Sequence, residues 1–140
     1  MENNYKDLTR YIYQDLSWGP LFRFKDGKVI DNADNNAEKY INDSLKIMKI
    51  KPSELKNKAV FNIGTGRESR YFAEQGANVT HIDIAKDSSD ELNNWAKKNK
   101  MKVSSSFGDI LDLDIGENKF DIIYLNGIYQ HIEKPALALW

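Results

Sequence analysis

The stretch Val60-Phe61-Asn62-Ile63-Gly64-Thr65-Gly66-Arg67-Glu68-Ser69 runs from a short, largely apolar segment through two glycines into a polar segment. Ala59 to Ile63 reads as a buried parallel strand, which is apolar without alternation because both of its faces are covered. The glycines that follow let the backbone turn tightly and let a ligand come closer than a Cβ would permit. Glu68 to Glu74 has helical spacing, with Tyr71 and Phe72 available to pack on the sheet and Gly76 to close the helix. Taken alone, Gly64-x-Gly66 fits either a nucleotide turn or a plain tight loop between strand and helix.

Working outward toward the C-terminus, Asn78 to Ile84 is rich in β-branched residues and reads as a second strand. Ser88 or Ser89 is placed to cap a helix from Asp90 to about Lys98, with Leu92 and Trp95 facing inward. Met101 to Phe107 is a third, weaker strand and Phe120 to Leu125 a fourth, strong one. Alternation of strands and helices of this length implies right-handed βαβ units and a parallel sheet. Toward the N-terminus, Tyr5 to Leu16 has helical spacing, broken by Trp18-Gly19-Pro20. Lys25-Asp26-Gly27-Lys28 is a turn flanked by Leu21 to Phe24 and Val29-Ile30, a short hairpin. Asn36 to Met48 is again helical, and Pro52-Ser53-Glu54-Leu55 starts a short helical turn. The pattern divides the chain into a helical or lid-like segment, residues 1–57, and an α/β core, residues 58–140.

Composition narrows the function classes. With 140 residues the chain supports one core. Twenty basic against 21 acidic residues leave a net charge of −1, without the broad positive field that nucleic acid attracts. There is no cysteine, so disulfides and thiolate metal sites are excluded and an intracellular, cytoplasmic location is the natural expectation. The polar start Met1-Glu2-Asn3-Asn4-Tyr5-Lys6-Asp7 is not a secretory signal, and no apolar run is long enough for a bilayer span.

Three further residues fall where a parallel sheet binds ligands, at the carboxyl ends of its strands. Asp83 ends the second strand, 83 − 64 = 19 residues beyond the first glycine. An acid there can accept hydrogen bonds from the two ribose hydroxyls of an adenosine ligand, or instead cap the helix that begins near Ala85-Lys86-Asp87. Asp109, in Phe107-Gly108-Asp109-Ile110, ends the third strand and can accept from an adenine amino group while Ile110 packs on the ring. Asn126 ends the fourth.

These four segments, in this order, resemble the motifs of the class I S-adenosylmethionine (SAM) dependent methyltransferases. Asn62-Ile63-Gly64-Thr65-Gly66-Arg67-Glu68 is similar to the family's first motif, and Thr80-His81-Ile82-Asp83-Ile84 to its acidic second-strand motif. Gly108-Asp109-Ile110 resembles the adenine-contacting motif. Phe120-Asp121-Ile122-Ile123-Tyr124-Leu125-Asn126-Gly127, followed by Gln130-His131-Ile132, resembles the fourth strand and the helix after it. The resemblance implies a Rossmann-like three-layer α/β sandwich whose parallel strands run in the order 3-2-1-4. It implies SAM as cofactor, with Asn62, Gly64, Thr65, Gly66, Asp83, Ile84, Asp109, Ile110 and Asn126 around it and no metal. A small-molecule methyl acceptor is the expected partner.

The chain departs from the family pattern in three ways. Asn62 stands where an acid is usual, and Glu68 where a third glycine is usual. A complete member has seven strands, so the last three are expected to be missing. Phe120 to Leu125 would then be an apolar edge, open to self-association or to a covering partner.

Of the two histidines, His81 lies within a strand and reads as structural. His131, beside the expected cleft, is a candidate general base, or else a capping or packing residue. Arg10, Arg23 and Arg67 are the candidates to meet the carboxylate of the cofactor. Tyr5, Tyr11, Tyr13, Trp18, Phe22 and Phe24 form either a lid or a flank of the sheet. Two other classes share the glycine turn: a nicotinamide-dependent oxidoreductase, and a binding or regulatory module without catalysis.

Overall fold

Four short segments of the chain pair edge to edge because each offers a run of apolar or β-branched residues between a turn and a helix. The computed structural model describes residues 24–25, 28–29, 34–64, 66–113, 115, 117, 119–129, 132 and 134. A small antiparallel hairpin, β1 (Phe24–Lys25) and β2 (Lys28–Val29), comes first, paired Phe24 to Val29 and Lys25 to Lys28 as the Asp26-Gly27 dipeptide leads one to expect. Helix α1 (Asp34–Ile47) and a 3₁₀ turn (Pro52–Leu55) follow. The alternating part comprises β3 (Ala59–Ile63), α2 (Gly66–Glu74), β4 (Asn78–Asp83), α3 (Lys86–Asn99), β5 (Val103–Phe107) and β6 (Ile122–Leu125).

The four core strands make one parallel sheet in the order β5-β4-β3-β6, which is 3-2-1-4 counted within the sheet. Two crossovers carry α2 and α3 to one face, and the chain then returns across the opposite face to β6. On the helical face Val60, Tyr71, Phe72, Val79, Ile122 and Tyr124 form the main core, with Ile41 and Leu45 of α1 and Leu55 of the 3₁₀ turn. Phe72 is fully buried and meets Tyr71 and Tyr124 edge-on, at ring separations of 6.0 and 5.3 Å. α1 is tied down by the Tyr71 hydroxyl, which donates to Asn42 at 2.6 Å. On the opposite face Phe61, Ile63 and Ile82 are covered, among the described residues, by Ile110, Leu113, Ile115, Phe120, Leu125 and Ile128, four of them on the connection between β5 and β6 that holds a 3₁₀ turn (Ile110–Asp112). Among the described residues β6 pairs with β3 alone, and its Ile123 is 60% exposed.

Several boundaries differ from the sequence reading. Neither Ser88 nor Ser89 caps a helix: α3 starts at Lys86 after Ala85, and both serines are buried inside its first turns. The capping oxygen comes from further back, where Asp83 Oδ1 accepts the Ala85 N–H at 2.8 Å. α2 begins at Gly66, so Glu68 sits in its first turn, where a negative charge suits the helix dipole. β6 begins at Ile122, and Phe120 just before it stacks on Phe61 (5.0 Å, 23°). Asp121 sets the register through its backbone N–H to the Ala59 carbonyl and its carboxylate to the Ala59 N–H, both 2.8 Å. The expected helix from Tyr5 to Leu16 and the aromatic stretch before Phe24 lie outside the described residues.

Candidate functional site

All four core strands point the same way, so their carboxyl ends share one rim of the sheet. β3 lies at the reversal of strand order, between β4 and β6, which is where an open parallel sheet forms its crevice. Two backbone hydrogen bonds extend the ladder past the strand ends. Gly64 N–H donates to the Ile82 carbonyl at 3.2 Å, and Gly108 N–H to the Asp83 carbonyl at 2.9 Å. They bring the glycine turn, Asp83 and the start of Gly108-Asp109 into one continuous line along the rim.

Gly64 has φ = +110°, a conformation that side-chain-bearing residues rarely adopt. A Cβ here would also fall 2.2 Å from Ile128 Cδ1, so the end of the Ile128 side chain rests on this glycine. Beneath the turn lies a row of buried polar side chains on the helical face of the sheet. Asn62, 1% exposed, accepts from the Ser69 hydroxyl at 2.7 Å and donates to the Tyr124 carbonyl at 3.0 Å. It thereby joins β3 to both α2 and β6, and its amide is turned inward to the protein. An aspartate could accept from Ser69 but could not donate to Tyr124.

His81 is fully buried, with Nε2 2.7 Å from the Gly64 carbonyl and Nδ1 2.8 Å from the Ser105 hydroxyl. A carbonyl oxygen only accepts, so Nε2 carries the proton and Nδ1 accepts from Ser105. Burial holds the imidazole neutral, lowering its pKa to about 4 against a weaker opposing effect of the Gly64 hydrogen bond. Ser105 is fixed in turn by Asn93 of α3, whose amide donates to the Ser105 carbonyl (2.8 Å) and accepts from its N–H (2.9 Å).

Asp83 sits half-buried at the end of β4. Burial raises its carboxyl pKa to about 7, although the Ala85 and Ile84 N–H groups and the Ser88 hydroxyl all donate to it and pull the other way. The helix-capping role considered for this residue is therefore real. In setting the pKa, burial outweighs these three donors. Asp109 caps the following 3₁₀ turn by accepting the Leu111 N–H at 2.9 Å. Ile84 and Ile110 are half-buried along the rim, and Asn126 is exposed just past β6. Gly66 is buried as the first residue of α2. Thr65, His131, Arg10 and Arg23 lie outside the described residues, while Arg67 is half-buried in the first turn of α2. Glu68 is buried; its charge adds to burial in raising the Tyr124 pKa, against the Ser44 hydrogen bond.

The structure thus brings Gly64, Gly66, Asp83, Ile84, Asp109 and Ile110 to one rim in the expected order. A family model described as a methyltransferase domain matches residues 61–139, more than half of the chain. The chain belongs to this family. Among solved structures, this methyltransferase domain is similar to TehB from Haemophilus influenzae (27% identity, TM-score 0.52), over 65% of this chain and 30% of TehB. It is also similar to RsmC, the 16S rRNA N2 G1207 methyltransferase of T. thermophilus, solved with AdoMet and guanosine (25% identity, TM-score 0.56), over 74% of this chain and 27% of RsmC. The fold of magnesium protoporphyrin IX methyltransferase (ChlM) from Synechocystis PCC 6803, solved with bound SAM, follows 96% of this chain and 68% of its own (19% identity, TM-score 0.69). The methyltransferase domain described here therefore spans from under a third to about two thirds of the length of these proteins. No curated protein sequence matches it.

Sequence reasoning missed the part played by the row below the rim. His81 was legible as structural, but nothing in the sequence linked it to Gly64, nor Asn93 to Ser105. Such pairings depend on register between strands, which a single sequence does not display.

Proposed function

We propose that this methyltransferase domain binds SAM along the rim and transfers its methyl group to a small-molecule acceptor. The observation that carries the reading is the alignment of the Gly64 turn, Asp83 and Asp109 at the ends of three adjacent parallel strands, linked by the two backbone hydrogen bonds. The residues fit such a ligand. Asp83 is a carboxylate whose existing donors do not offset its burial, and a ribose diol supplies two more. Ile84 and Ile110 offer apolar surface to either side of an adenine, and Asp109 an acceptor for its amino group. The glycine turn admits the close approach of the methionyl portion once the Ile128 side chain swings aside.

Bound SAM supplies an activated methyl group on its sulfonium. The chain supplies alignment: it holds the donor against the rim so that an incoming nucleophile meets the methyl in line. Asn126, exposed just past β6 at the same end of the sheet, is the residue we assign to the acceptor side of the rim. His131 is proposed as the base that takes the acceptor's proton, and alanine substitution that leaves methyl transfer intact would remove it from that role.

Titration calorimetry with SAM, its demethylated product S-adenosylhomocysteine (SAH) and NAD tests the reading. Binding of SAM and SAH, weakened about tenfold or more by Asp83→Ala, is expected. Binding of NAD but not SAM would overturn it in favour of a nicotinamide-dependent enzyme. SAM binding without turnover on any acceptor would make this a binding module.

A further inference from the structure

The glycine turn is held from below by side chains that never reach the rim. Its first carbonyl, that of Gly64, is met at 2.7 Å by a ring nitrogen of fully buried His81. The other ring nitrogen is met at 2.8 Å by Ser105, and both outward backbone groups of Ser105 are held by the Asn93 amide. The row crosses from α3 through β5 and β4 to the turn, and every donor in it faces an acceptor. A peptide unit is planar and trans, so its carbonyl and the N–H that follows point in opposite directions. Fixing the Gly64 carbonyl on the helical side of the sheet therefore fixes the plane on which the turn begins. Gly64 has no side chain and lies at φ = +110°, so its backbone has more alternatives than that of any other residue type.

We propose that His81 is a positioning residue for cofactor binding: its Nε2–H, aligned by Ser105 and Asn93, holds the Gly64 carbonyl and so presets the turn in its ligand-accepting shape. The inference rests on the SAM-binding reading above. Without the hydrogen bond the turn samples several shapes, and ordering it is charged against ligand affinity. His81 touches no ligand, and its effect passes wholly through the turn.

The test is SAH titration calorimetry on the full chain as wild type, His81→Phe, His81→Gln and Ser105→Ala, at a temperature where circular dichroism shows each folded. His81→Phe keeps a planar ring, somewhat larger, and loses the donor; about a tenfold weakening is expected, the worth of one hydrogen bond. His81→Gln places an amide donor near the lost Nε2, and affinity within about threefold of wild type is expected even if its melting temperature falls. That rescue separates positioning from general packing, which the glutamine would not restore. If His81→Phe does not fold, Ser105→Ala decides, with a weakening of a few-fold expected from a ring no longer held in place. Wild-type affinity in folded His81→Phe, or in Ser105→Ala where His81→Phe fails to fold, overturns the inference. So does His81→Gln as weak as His81→Phe. Failure of the wild-type chain to bind SAH overturns the SAM-binding reading itself, and the inference with it.

Discussion

At the scale of single residues, the two ionisable groups beside the turn, half-buried Asp83 and fully buried His81, answer pH in opposite senses. Asp83 has its pKa raised to about 7, so near neutrality the unliganded carboxyl is about half protonated, whereas ribose hydroxyls donate best to the ionised form. SAH affinity is expected to rise with pH up to about 7 and level off above it, being roughly tenfold weaker one unit below the pKa. Calorimetry from pH 6 to 8 checks this, and Asp83→Asn should bind weakly with a flat profile. Asn62 gives a second prediction. Replacing it with the acid usual at this position, Asn62→Asp, sets a carboxylate against the Tyr124 carbonyl and removes the donor that bridges β3 to β6. A loss of about 1–3 kcal/mol in urea denaturation is expected, as for other buried groups left unsatisfied. Both residues were visible in the sequence as candidates. What was not visible is that Asn62 spends its hydrogen bonds inside the protein, because a residue's identity does not reveal its cross-strand neighbour.

At the scale of elements, α2 is the piece that joins the site to the core. It begins at Gly66 on the rim and buries Tyr71, Phe72 and Ala73 against the sheet. Phe72 is fully buried between Tyr71 and Tyr124, so Phe72→Ala leaves a cavity under β3 and β6 and is expected to cost about 3–5 kcal/mol. Chemical denaturation measures it, and a cost below about 1 kcal/mol would mean that this packing is not what holds α2. The strands and α2 were legible because apolar runs bounded by glycines leave few other readings. The start of α3 was not. Two adjacent serines resemble a cap, but the helix began earlier, because Asp83, at the end of the preceding strand, already offered its carboxylate to the Ala85 N–H.

For the molecule as a whole, Asp83 and His81 oppose each other between about pH 4 and 7. His81 has its pKa lowered from 6.5 to about 4, so below pH 6.5 the unfolded chain takes up a proton that the folded chain refuses. Its contribution is complete above pH 6.5 and falls by roughly 3 kcal/mol as pH approaches 4. Asp83, raised from 3.8 to about 7, binds a proton in the folded state that the unfolded state does not hold, so it stabilises increasingly as pH falls through 7 toward 4. The two largely offset in the wild type. Asp83→Asn removes one side of the balance. It is expected to be more stable than wild type at pH 7.5 and to lose that advantage by pH 4.5, with urea denaturation at the two pH values as the measurement. That the sheet is parallel was legible from the alternation of elements, and its strand order from the resemblance to the methyltransferase motifs. This balance was not, since it depends on how deeply each group lies in the finished fold.

The Asn93 amide has one more consequence. By taking both outward-facing backbone groups of Ser105, the middle residue of β5, it seals that margin of the sheet against any incoming strand. A strand arriving there would have to evict the amide and break two hydrogen bonds before making its own. The margin at β6 carries no such seal among the described residues, and Ile123 stands exposed on it. Among the described residues the two margins of the sheet therefore differ: an added strand would be obstructed beside β5 and would meet no such obstacle beside β6.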